Sequence, residues 1–86
     1  MPAPYTRAVK AQLEIVQNKA GIPRIGLMRA AKQHAKKIWP NSHIGQGIWI
    51  QVLKDLINDG SLVQVGGQYE VSSTGTDTLA VANRYC

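Results

Sequence analysis

The stretch from Asn41 to Val71 constrains this chain more than any other. It reads NSHIGQGIWIQVLKDLINDG and then SLVQVGGQYEV. On a helix, Ile48, Trp49, Val52, Leu53, Leu56 and Ile57 gather on one broad side, while His43, Gly47, Gln51, Lys54 and Asn58 recur opposite. The pattern predicts a helix from Ile44 to Asp59, with Asn41 and Ser42 as able N-caps and Gly60 as its stop. Ser61–Val65 and Gln68–Val71 read as two short strands. Gly66-Gly67 between them suits a two-residue hairpin turn, whose central residues both take positive φ. Leu62, Tyr69 and Val71 are expected to face inward.

Upstream, the MPAP run makes residues 1–5 an extended lead, because proline resists helix. Thr6 to Lys19 is a predicted first helix. Val9, Leu13 and Val16 fall on one side of it, and Gly21 ends it. Leu27 to Ile38 is a predicted second helix, with Leu27, Met28, Ala31, Ala35 and Ile38 inward. Arg29, Lys32, Gln33, Lys36 and Lys37 take the other side, and Pro40 is the stop. Trp39 is expected to pack beneath the turn. Thr74 to Asn83, carrying Leu79, Val81 and Ala82, is a candidate fourth helix capped by Ser73 or Thr74. Residues 6–86 then form one small α+β domain, with a single core.

Charge is divided unevenly along the chain. Residues 1–43 hold eight basic side chains against Glu14, a net of +7, whereas residues 44–86 hold Lys54 and Arg84 against four carboxylates, a net of −2. Such a division favours a polyanionic partner on one side of the molecule. Cys86 is the only cysteine, so no internal disulfide forms, and a cysteine-based metal site is not expected. A lone cysteine suits a reducing compartment. No apolar run approaches the roughly 18 residues of a membrane span, and MPAPYTRAV lacks a signal-peptide core. The expected setting is the cytoplasm, associated with the nucleoid, or the nucleus in a eukaryote. No membrane partner is expected.

The run LKDLINDGSLVQVGGQYEV, followed by Val71-Ser72-x-x-Gly75-x-x-x-Leu79, resembles the end of a winged helix-turn-helix domain. Linker-histone globular domains and bacterial and phage transcription regulators carry similar runs. The resemblance covers residues 25–80 and the order helix, helix, helix, hairpin, helix. It implies a three-helix core with a C-terminal hairpin wing. It also implies a short strand at Pro23-Arg24-Ile25-Gly26 that pairs with the wing, with Ile25 as the pairing residue.

The resemblance further implies double-stranded DNA as the partner, with the third helix in the major groove. Arg29, Lys32, Lys36, Lys37 and Ser42 would contact phosphates, which position a protein without reading sequence. His43, Gln46, Gln51 and Lys54 would read bases; glutamine can pair with adenine and lysine with guanine. Ser42 and His43 would also profit from an anion-attracting helix start. Gly47 would let the helix approach base edges. The wing tip, Gln64, Gly66, Gly67 and Gln68, carries no charge, unlike many DNA-binding wings. A homodimer through Leu79–Tyr85 would extend the short reading frame of one domain.

Enzyme chemistry finds little footing, and neither cofactor nor metal is expected. Asp55 and Asp59 sit a turn apart on an exposed flank, so they form no buried acid–base pair. His34 and His43 are nine residues apart, lack an acidic ligand pattern, and read as surface histidines. Gly45-x-Gly47 follows no strand, so it is not a dinucleotide fingerprint. The expected function is a sequence-specific or semi-specific DNA-binding protein: a small regulator or DNA-organising factor of prokaryotic or phage type. The alternative is a winged-helix protein–protein interaction module, such as a phage or plasmid product that binds a host protein. The uncharged wing and Ile50 suit that alternative.

Overall fold

Helix α1 (Pro4–Asn18) is the element against which the others assemble. Ala8, Ala11, Leu13 and Val16 on it are completely buried. The two alanines let neighbouring backbones come close, and Leu13 and Val16 fill the space between them. A computed structural model describes residues 3–86 of the chain. After α1 come β1 (Ile22–Pro23), α2 (Arg24–Ile38), α3 (Gln46–Asn58), β2 (Leu62–Val65), β3 (Gln68–Val71) and α4 (Ser73–Tyr85). Helix α1 packs against α2, α3, α4 and β3. The fold is α+β: four helices and an antiparallel sheet in the order β1-β3-β2.

The apolar pattern of α3 places Trp49, Val52, Leu53 and Leu56 in the core, with Ile48 and Ile57 packed at its edge. The hairpin closes through Gly66 at φ +59° and Gly67 at φ +80°. That is the pair of positive values a type I′ turn requires. Leu62 and Tyr69 enter the core, while Val71 lies at its margin. Val63 and Val65 point to the other face of the sheet and are exposed.

Several boundaries differ from the sequence reading. Helix α1 begins at Pro4, inside the expected extended lead. Proline is well suited to a first helical turn, where its missing N–H would have no partner. Residues 1 and 2 of that lead lie outside the described residues. The strand that pairs with the hairpin is Ile22–Pro23, opposite Tyr69 and Gln68, and not Ile25. Proline fits there because β1 is an edge strand, and a second pairing partner for its nitrogen is not needed. Ile25 instead lies in the first turn of α2 and is 79% exposed. Ile38 is also exposed, at the end of α2.

Helix α3 starts at Gln46 with Gly45 as N-cap, and no side chain caps it. Asn41 and Ser42 therefore do not cap this helix. Ile44 packs against the core ahead of the first turn, and residues 42–45 lie outside any helix. The cap of α4 is Ser72, one residue before the two candidates. Its Oγ accepts the Gly75 N–H at 3.1 Å.

Candidate nucleic-acid interface

Helix α2 carries Arg29, Lys32 and Lys36 on one stripe because their spacings of three and four return to the same face. The start of α3 lies beside that stripe. The Lys32 ammonium donates to Gln46 Oε1 and joins the two helices through their polar side chains. Two open depressions, of about 340 and 410 Å³, share Lys32 and Gln46. Lys36, Ser42 and His43 continue the first, and Arg24, Arg29 and Ile50 continue the second. The result is a continuous surface bearing four cations from α2, and no carboxylate lines either depression.

The sign of this surface is not offset elsewhere by pairing. The one ion pair among the described residues joins His34 Nε2 to Glu14 Oε1 at 3.1 Å. None of Arg24, Arg29, Lys32, Lys36 or Lys37 is therefore paired with a carboxylate. His34, expected at the surface, is a partly buried link between α2 and α1. The acidic neighbour is 20 residues away in sequence, beyond the reach of a local pattern.

The expected base-reading residues divide into two groups. His43 and Gln46 lie beside the α2 cations. Gln51 lies about 140° around α3 from Gln46, on the opposite flank. There its amide donates to Asp55 Oδ1 at 2.8 Å. Asp55 in turn accepts the Tyr5 hydroxyl. The two hydrogen bonds hold the Asp55 carboxyl below the usual carboxylate range. Partial burial, and then the same aspartate, push the Tyr5 hydroxyl up to about 12. Gln51 is thus part of an α1–α3 tether with a negative charge beside it. Lys54 is exposed between these flanks, and Lys37 is exposed outside the lined surface.

Ser42 is not a free hydroxyl at a helix start. It stands four residues before α3, its N–H donates to the Trp39 carbonyl at 3.0 Å, and its Oγ accepts a guanidinium N–H from Arg7. The expected anion site made by a helix terminus at Ser42 and His43 is absent, because the first free helical N–H groups come later. Arg7 was legible in the sequence only as one more basic residue. It is buried beside residues 39–43 of the α2–α3 connection.

At the hairpin tip, where the wing residues were expected, Gln64, Gly66, Gly67 and Gln68 are exposed. A side chain built at either glycine would meet nothing within 4 Å. Gln68 is the exception to a free tip, since its amide rests over Gly21. On α4, Leu79 and Ala82 are buried, which leaves Val81 and Tyr85 as the exposed apolar part of the expected dimer surface. Among the described residues, no helix is long and apolar enough to cross a membrane. Comparison of the chain with protein families, curated proteins and solved structures finds no match.

Proposed function

We propose that the chain is a winged helix-turn-helix protein that binds double-stranded DNA through the surface shared by α2 and the start of α3. The observation that carries this reading is the meeting of Arg24, Arg29, Lys32 and Lys36 with Gln46 and His43 on a surface lined by no carboxylate. The order of elements supports it, as does a short β1 pairing with the hairpin. The α2 cations contact phosphates and set the register. Gln46, His43 and Lys54 face base edges, and Gln51 contributes only if its bond to Asp55 is exchanged for one to a base. The role is that of a small regulator or DNA-organising factor.

The test is binding to a random duplex across a salt series. With about five phosphates neutralised, log affinity falls against log salt with a slope near −4 to −5. Reversing two charges with Lys32→Glu and Lys36→Glu removes most of the affinity and leaves the helical circular dichroism intact. Binding that is indifferent to this double substitution removes α2 from the mechanism.

One observation favours a protein partner instead. Ile25 is 79% exposed beside Met28 and Ile50, in the same depression as the cations, and Val65 on the sheet is 59% exposed. A protein-binding domain would show little salt-dependent affinity for duplex DNA.

A further inference from the structure

We infer that Arg7 and the α2–α3 connection form a pocket for a phosphate group. Arg7 is only 7% exposed. A buried cation is ordinarily matched by a carboxylate, because leaving it unmatched costs more than the bonds it makes to neutral groups. No such match exists here: the single ion pair among the described residues is His34–Glu14. One guanidinium N–H of Arg7 donates to Ser42 Oγ, and Nε is buried with no partner among the described residues.

The side chain is not sealed in the core. It lines an open cavity of about 380 Å³ with Trp39, Pro40, Asn41, Ser42 and His43. That volume lies near the low end of the ~300–1,000 Å³ typical of small-ligand sites. The walls offer a planar, fork-shaped cation, a hydroxyl, an amide and an imidazole, and they include no carboxylate. Guanidinium forks match the oxygens of phosphate in pairs. The connection from Trp39 to Gly45 is longer than the three or four residues of a tight helix-turn-helix turn. The additional residues are what wall the cavity. Because Ser42 and His43 also line the neighbouring α2–α3 depression, a duplex lying there could place a backbone phosphate in this pocket. A free phosphate or phosphate monoester offers the same chemistry.

The measurement uses the full chain, with inorganic phosphate titrated at constant ionic strength against chloride. Amide shifts of residues 41–43 and the Trp39 indole N–H are followed by NMR, and melting temperature is followed in parallel. Saturable shifts and a phosphate-specific rise in melting temperature are expected. Both should disappear in Arg7→Met, which should itself melt higher than the native chain when phosphate is absent, since it deletes an unmatched buried charge. Ser42→Ala should weaken phosphate binding several-fold, and it provides the readout if Arg7→Met fails to fold.

The duplex arm, which rests on the DNA reading, separates the two sources. A salt slope reduced by about 0.9 in Arg7→Met assigns the pocket to a backbone phosphate. Arg7-dependent phosphate binding with an unchanged slope, or with no duplex binding at all, assigns it to a free phosphate and leaves the DNA reading to stand or fall alone. No saturable phosphate response together with an unchanged slope overturns the inference. A response that survives both substitutions does so as well, and Arg7 is then a purely structural link between α1 and the connection.

Discussion

At Gly75 two local preferences oppose each other. Glycine weakens a helix interior by up to ~1 kcal/mol relative to alanine, yet Gly75 is buried within α4. A Cβ placed there would run into the Ser61 carbonyl oxygen and would lie 2.7 Å from Val71 Cγ1. Backbone atoms cannot yield as a flexible side chain can, so overpacking outweighs helix propensity. Gly75→Ala is therefore expected to destabilise the protein by about 1–3 kcal/mol in urea unfolding, against the gain its helix preference alone would give. Ser72 shows the same dependence on neighbours. Its hydroxyl oxygen caps α4, and its hydrogen is shared between the carbonyls of Gly60 and Ser61.

Between elements, the Tyr5–Asp55–Gln51 chain ties the first turn of α1 to α3. Its pH dependence has a definite sign. The Tyr5 hydroxyl is raised to about 12 from its ordinary 10.0, so its contribution is intact below pH 10 and is lost as pH rises through about 12. The Asp55 carboxyl is lowered, so its contribution is present above the ordinary carboxylate range and is lost as pH falls through the lowered value. Site-resolved NMR should find that Asp55→Asn returns Tyr5 toward 10.0. An unmoved tyrosine would mean that burial and the nearby Asp59 raise it without Asp55. Helix α3 offers a second element-level test. Gly47 is exposed, and an added Cβ would meet nothing within 4 Å. Gly47→Ala should stabilise the fold by up to ~1 kcal/mol. If α3 lies close to base edges, duplex affinity should fall in the same variant.

Over the whole molecule, the position of charge matters more than its sum of +5. The five carboxylates lie away from the α2–α3 surface: Glu14 is paired with His34, Asp55 faces Tyr5, Asp59 accepts the Ser61 N–H, and neither Glu70 on β3 nor Asp77 on α4 lines it. Lys10 is a cation too, but it donates to Asn83 Oδ1 at 2.9 Å, toward α4. Lys10→Gln and Lys32→Gln change net charge equally. Only Lys32→Gln should flatten the salt dependence of duplex binding, by about 0.9 in slope. Equal effects from the two would indicate attraction by overall charge and not by a defined face.

Periodicity and turn chemistry were sufficient for the existence of α1, α2, α3 and the hairpin, because burial of one side and positive φ at Gly66 and Gly67 are properties of short runs of residues. The stripe of Arg29, Lys32 and Lys36 was legible for the same reason. Helix starts were less so: α1 opens at Pro4, α3 takes Gly45 as its cap, and Ser72 caps α4 while its hydroxyl also reaches the Gly60 and Ser61 carbonyls, a contact no local pattern contains. The pairing of His34 with Glu14, the bond from Tyr5 to Asp55, and the burial of Arg7 against Ser42 span 20, 50 and 35 residues. Contacts at that separation exist only once α1 has packed against α2 and α3. Local pattern determined which side of each helix is polar, and tertiary packing decided which of those polar groups are spent on the protein itself and which remain for a partner.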